Sequence, residues 1–179
     1  MRLALGAYRT PRDAKLPAMN DLTPLASSLA AVLKERKETL AVAESSAGGL
    51  ISAALLAVPG ASAYFLGGAV VYTQAARRAL LRVPDESLAG IRSSTEAYAA
   101  IKARTIRELL GATWGLAETG ATGPTGNRYG DAAGHACIAI AGPLERTLTI
   151  ETRSGDREAN MWAFAKAALD LLQTALRRA

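Results

Sequence analysis

The sequence predicts a layered α/β domain, and three observations carry that reading. Helical and strand-like segments alternate along the 179 residues, roughly five of each. Two apolar strands run straight into polar, glycine-bearing loops. Near the end, two apolar runs flank Gly142-Pro143 as the arms of a hairpin do. The alternation implies parallel pairings, and the late hairpin adds an antiparallel one.

Leu22 to Lys37 is the first helix. Leu22, Leu25, Leu29, Val32 and Leu33 recur at spacings of three and four and make one apolar stripe. Thr23 is placed to cap it, with Pro24 at the first helical position, and Lys34, Arg36 and Lys37 suit the negative end of its dipole. Thr39 to Ala43 is a short apolar strand and Glu44 to Gly49 a turn. Leu50 to Val58 is a second helix, stopped by Pro59. Ala61 to Phe65 reads as one further turn, Gly68 to Tyr72 as the second strand, and Thr73 to Leu81 as a helix. Pro84 to Gly90 is a short helix or turn. The amphipathic helix Thr95 to Leu110 takes Ser93 or Ser94 as its cap. Trp114 to Glu118 is the third strand, and Thr119 to Gly134 a glycine-rich loop. His135 to Ala141 and Arg146 to Thr152 are the hairpin strands. Gly155 to Arg178 is the last helix, with Leu169, Leu172 and Leu176 on one face.

Half of the residues are hydrophobic and 21% are charged, which is globular rather than disordered composition. The length suits one domain. No repeat or linker divides it, so residues 21–179 are read as a single domain and 1–20 as a flexible N-terminal arm. Residues 1–18 lack the apolar run of a secretory signal; a transit peptide, or translation from Met19, are the other readings of that stretch. The single Cys137 excludes an intramolecular disulfide and fits a reducing, cytoplasmic compartment. The single His135 excludes a histidine-cluster metal site. The net charge of +5 lies largely near the ends, with no basic block interleaved with aromatics, so nucleic acid is not an expected partner. The uncharged stretch from Ser45 to Ala76 is cut by Pro59-Gly60 and diluted by glycine pairs, so it reads as a buried unit rather than a membrane span.

In open α/β sheets the ligand crevice lies outside the carboxyl ends of the strands. The loops after the first and third strands therefore belong to one candidate site. Glu44-Ser45-Ser46-Ala47-Gly48-Gly49 opens a helix whose N-terminus offers N–H groups to an anion. Gly48 and Gly49 let a ligand near the backbone, and Ser45 and Ser46 add hydroxyls. A plain capping turn is the other reading. Thr119 to Gly126, including Thr122 and Gly123, combines hydroxyls and glycines in a cradle for phosphate or ribose. Ser62 follows the Pro59-Gly60 break, where a turn cap is expected. A serine nucleophile needs a base within reach, and His135 sits in an apolar strand as a structural histidine would. Arg157, between Asp156 and Glu158, is either part of a helix cap with surface ion pairs or a phosphate-binding arginine.

Together these pieces resemble the CinA C-terminal family, the nicotinamide-nucleotide amidohydrolases. The residues that carry the resemblance are Ala43 to Gly49, Val58-Pro59-Gly60-Ala61-Ser62-Ala63-Tyr64-Phe65, Gly68 to Thr73, Gly120-Ala121-Thr122-Gly123-Pro124 and Gly155-Asp156-Arg157. The resemblance covers about residues 20–179. It implies a three-layer α/β/α domain with a mixed, mostly parallel five-stranded sheet. It implies hydrolysis of nicotinamide mononucleotide to nicotinate mononucleotide and ammonia, in pyridine-nucleotide salvage, with no metal or organic cofactor. By that resemblance Ser62 matches the nucleophile and Tyr72 a proton-handling partner. Glu44, Ser45, Ser46, Gly48 and Gly49 match the loop nearest the nucleotide, Thr122 and Gly123 the second substrate loop, and Arg157 a phosphate-binding arginine. The expected partner is a small nucleotide, with neither nucleic acid nor membrane, and the resemblance favours a homo-oligomer.

The chain departs from that pattern. Thr73-Gln74-Ala75-Ala76-Arg77 stands where the family has Ser-Asn-x-x-Lys, so the lysine expected in catalysis is Arg77. An arginine stays charged and cannot act as a general base; Arg77 is left to stabilise an anion, orient a phosphate, or sit on a helix surface. His135 stands where a threonine is usual. Two functions follow: a serine amidohydrolase, or a nucleotide-binding or regulatory module that has lost its base. A structural role for the glycine loops is a third.

Overall fold

The computed structural model describes residues 22–179, and the expected N-terminal arm lies outside them. The chain forms α1 (Thr23–Arg36), β1 (Leu40–Glu44), α2 (Leu50–Leu56), β2 (Phe65–Val70) and α3 (Gln74–Ala76). It continues through α4 (Glu96–Leu110), β3 (Trp114–Ala121), β4 (His135–Ala141), β5 (Arg146–Glu151) and α5 (Arg157–Leu176). The sheet order is β2-β1-β3-β4-β5. β1 pairs in parallel with β2 and β3, and β4 pairs antiparallel with β3 and β5. Four strands thus share one direction and β4 opposes them, which is the mixed sheet expected from alternating helices and a late hairpin.

Successive side chains of a strand point to opposite faces, and here the two faces differ in bulk. On one side Leu40, Val42, Trp114, Leu116, Ile138 and Ile140 pack under α1, α2 and α5. On the other, Ala41, Ala43, Ala117, Cys137, Ala139 and Ala141 meet α4 and Leu81. The small face lets α4 lie close to β3. At Gly115 a Cβ would stand 2.0 Å from the Ala103 carbonyl oxygen, so only glycine permits the approach. The result is three layers, helices on both faces of one sheet.

Local boundaries differ from expectation where tertiary pairing wins. β3 runs three residues into the expected glycine loop because Thr119, Gly120 and Ala121 pair with Cys137, Ala136 and His135. α4 is capped by Thr95, whose hydroxyl accepts the Tyr98 N–H at 3.2 Å, rather than by Ser93 or Ser94. α1 starts at Thr23 with Leu22 in the cap position. The segment 73–81 is a short α-turn followed by a π-turn from Arg77 to Leu81. Among the described residues, no helix is long and apolar enough to cross a membrane.

Candidate functional site

β1 and β3 lie side by side with Ala43 opposite Ala117, and this register brings two buried carboxylates, Glu44 and Glu118, under the loops. Glu44 closes β1 and turns back onto the start of α2. Its carboxylate accepts N–H groups from Gly49 at 2.8 Å, Ile51 at 3.1 Å and Ser52 at 2.8 Å, and the Ser52 hydroxyl at 2.6 Å. Glu118, on β3, accepts the Ser45 N–H at 3.0 Å, the Ala47 N–H at 2.9 Å and the Ser46 hydroxyl. Both carboxylates are fully buried.

This arrangement corrects the anion-binding expectation for the 44–49 loop. The N–H groups at the start of α2 are not free for a ligand, because the chain's own Glu44 takes them. Gly48 and Gly49 do adopt left-handed backbone, with φ of 69° and 102°. Gly48 is exposed, and a Cβ there would meet the Met161 terminal methyl of α5 at 2.7 Å.

Lys102 completes the buried group. It projects from the sheet-facing side of α4, is 1% exposed, and donates to the Glu118 carbonyl at 2.9 Å. Burial pulls its ammonium down to about 8, partly offset by the charges of Glu118 and Glu44. Burial likewise pushes the Glu118 carboxyl up, against the pull of Lys102 and of its hydrogen-bond donors.

Above this layer opens a cleft of about 600 Å³. Ser45 and Tyr72 line it, together with Ser93, Tyr98 and Thr119. Arg157 holds the cleft's Tyr72, its Nη2 lying 3.3 Å from the phenol oxygen, and its Nη1 donates to the Gly123 carbonyl at 2.8 Å. The start of α5 is fixed by Asn160, which donates to the Thr122 carbonyl at 2.8 Å. Thr122 and Gly123 are therefore bound to α5 through their backbones. At Gly123 a Cβ would stand 2.8 Å from the Gly155 carbonyl.

The structure thus brings together only part of the expected set. Ser45 and Tyr72 face the cleft, with Arg157 against Tyr72. Glu44 and Ser46 are buried beneath the cleft as scaffold, and Gly48 and Gly49 do not line it. Ser62 does not join them. It is exposed in the 3-10 turn Ala61–Ala63 that precedes β2, where the Tyr64 carbonyl accepts the Leu40 N–H at the beginning of β1. Tyr72 lies past the opposite end of β2, about 20 Å away at the usual rise per residue. Ser62 and Tyr72 flank opposite ends of the sheet, so a direct Ser62–Tyr72 pairing is not formed. Arg77 is not on a helix surface. It is 4% exposed and pairs with Asp85.

Sequence reasoning passed over Glu118 and Lys102. The available signals were an acidic residue inside an apolar strand and a lysine within the buried stripe Tyr98, Ala99, Lys102, Ala103 and Ile106. It also treated Ser93 only as a cap.

His135 does prove to be structural. Its Nδ1 meets the Glu151 carboxylate and its Nε2 the Ser94 carbonyl at 3.0 Å. Both partners only accept, so the two bonds together require a doubly protonated ring. They tie Ser94, in the left-handed region at φ 58°, to β4 and β5. Burial opposes the ring's charge, but the bonds to Glu151 and Ser94 and the charges of Glu151 and Asp131 outweigh it, so its pKa is raised. A raised pKa gives stability that is complete below about pH 6.5 and lost as pH rises through the higher folded value. His135→Gln should show a flatter dependence of melting temperature on pH just above that point. Parallel profiles for the two proteins would rule the assignment out.

Comparison with known proteins agrees with this architecture. The CinA C-terminal domain matches residues 22–176. A CinA-like protein of Gloeobacter violaceus is 39% identical over 156 residues, 86% of this chain and 36% of that protein. One from an Anaeromyxobacter species is 40% identical over 153 residues, 86% of this chain and 37% of that protein. The chain therefore spans little more than a third of the curated relatives it matches. Among solved structures, a CinA superfamily protein from Klebsiella pneumoniae superposes with a TM-score of 0.82 at 30% identity, covering 88% of this chain and 99% of that one. A competence/damage inducible protein from Agrobacterium tumefaciens gives 0.77 at 30% identity, over 88% and 96%. Sheet order, layer composition and a sequence match across nearly all described residues lead to one conclusion: the chain belongs to the CinA C-terminal domain family.

Proposed function

We propose that the cleft binds a nicotinamide nucleotide and that the chain hydrolyses its carboxamide, converting nicotinamide mononucleotide into nicotinate mononucleotide and ammonia. The observation that carries this reading is the cleft itself, at the carboxyl ends of three parallel strands. Its volume of about 600 Å³ falls among ordinary ligand sites. Its hydroxyl lining suits a ribose, and Arg78 and Arg128 in its wall suit a phosphate. Amide hydrolysis needs an attacking oxygen and a proton for the departing ammonia. Within the cleft, Ser45 is the hydroxyl whose backbone is fixed by Glu118, and Tyr72 is the proton-bearing group beside the charge of Arg157. Ser45 therefore takes the role that the resemblance implied for Ser62. A binding module without turnover remains as a second reading. It is favoured by one observation: Lys102 is buried under the cleft and Arg77 is locked in an ion pair, so neither lines the cleft as a base.

Ammonia release from nicotinamide mononucleotide by the purified protein tests the proposal. Ser45→Ala and Tyr72→Phe should each lose about 10²-fold or more in rate, and Ser62→Ala should retain full activity. Loss of activity in a folded Ser62→Ala would return the nucleophile to that residue. Nucleotide binding without ammonia release by the natural chain would establish the binding module instead.

A further inference from the structure

Beside the cleft lies a second chamber of about 390 Å³. The two spaces share a wall, since Gln74, Ser93, Tyr98 and Tyr129 face both. Guanidinium groups flank that wall on each side: Arg78 and Arg128 in the cleft, Arg77 and Arg92 in the chamber. Two carboxylates answer these four cations. Asp85 is shared between Arg77 and Arg78. Asp131 holds Arg92 through both of its oxygens. Arg128 has a neutral partner, the Tyr129 hydroxyl at 2.8 Å. The four guanidinium groups thus outnumber the two carboxylates by two, and Arg128 has no carboxylate partner among the described residues. The Nε of Arg77 is buried and has no acceptor among the described residues, and a buried donor left unpaired calls for an explanation. Leu88 and Ile91 give the chamber one apolar side.

We infer that the site takes a dinucleotide, with one nucleoside in the cleft, a pyrophosphate bridge at the arginine-flanked wall and the second nucleoside in the chamber. The inference rests on the nucleotide reading of the cleft and enlarges its ligand class. A pyrophosphate bridge carries two negative charges, which match the surplus at the wall. Arginine forks and tyrosine and serine hydroxyls are suited to its oxygens. The apolar side of the chamber suits a second base. The two spaces together approach the upper end of the ~300–1,000 Å³ range of ligand sites, more room than a single nucleoside phosphate requires.

Calorimetric titration of the full chain with nicotinamide mononucleotide, nicotinate mononucleotide and nicotinamide adenine dinucleotide tests the inference. The dinucleotide should bind at least tenfold more tightly than either mononucleotide. Ile91→Trp fills the chamber from its apolar side and should abolish that gain while leaving nicotinamide mononucleotide binding unchanged. Arg77→Met should also remove the gain, and melting curves establish that each variant is folded. Equal affinities for the dinucleotide and the mononucleotides in the natural chain would overturn the inference and leave the cleft assignment standing. So would a gain that survives in a folded Ile91→Trp. If nicotinate mononucleotide alone gains affinity through Arg77, the arginines serve a carboxylate and the dinucleotide assignment is overturned. Failure of every nucleotide to bind would sink the nucleotide reading itself, and this one with it.

Discussion

Glu118→Ala should destabilise the protein by about 3–5 kcal/mol, the penalty expected when one partner of a buried charged group is removed. The side chain accepts two backbone N–H groups and the Ser46 hydroxyl, all in the turn between β1 and α2. Without it those donors stay buried and unpaired, and the Lys102 ammonium loses a neighbouring carboxylate. Truncation also opens space in a closely packed layer. Glu118→Gln keeps the volume and one acceptor oxygen, so it should cost clearly less. Urea unfolding of the three proteins makes the comparison. A loss below about 1 kcal/mol for Glu118→Ala would mean that the loop holds its shape without the carboxylate.

Lys102 should give the protein a stability that rises with pH on the alkaline side. Its ammonium is ordinarily half-ionised near 10.5, and burial brings this to about 8 in the folded chain. Between those values the unfolded chain binds a proton that the folded chain has released, so stability climbs as pH rises through that window. The shift corresponds to about 3 kcal/mol at ~1.4 kcal/mol per pH unit. Lys102→Met has no such proton to exchange. The difference in unfolding free energy between the natural chain and Lys102→Met should therefore move in favour of the natural chain from pH 8 to 10. A constant difference across that range would show that the lysine is not desolvated as described.

The fold was largely legible because its signals are local and repeated. The leucines of α1 and α5 recur with helical spacing, and the Gly142-Pro143 hairpin joins β4 to β5 as its composition requires. Thr119 to Ala121 misled because glycine and threonine read as loop, while their pairing with His135 to Cys137 is a long-range fact. The candidate site was half legible for a related reason. Tyr72 and Ser45, which line the cleft, could be singled out because the strands before them end in recognisable polar turns. The assignment of the α2 N-terminus to a ligand failed because nothing in the spacing tells that Glu44 folds back five to eight residues to occupy it. Ser62 stands apart from the cleft because of topology. A parallel crossover puts the residues before β2 and those after it at opposite ends of the sheet, however close they are in sequence. Arg77 was identified as a departure, but its burial against Asp85 depends on the π-turn that carries it.

Among the described residues β2 forms one border of the sheet, and its pairing is irregular. Leu40 stands opposite Phe65 but Ala41 opposite Gly67, so Leu66 is the extra residue of a bulge and is left 42% exposed. A straight border strand with free N–H and C=O groups is a template on which another chain can polymerise. The bulge spoils that template, because an incoming strand cannot keep register past Leu66. The opposite border, β5, is guarded by chemistry instead: Arg146 and Glu151 mark its ends, and the Thr147 and Thr149 hydroxyls are committed to Glu96. The sheet is therefore closed to growth at one border by geometry and at the other by polarity. Deleting Leu66 would restore an even ladder and give fibrous assembly the footing that the natural sequence withholds.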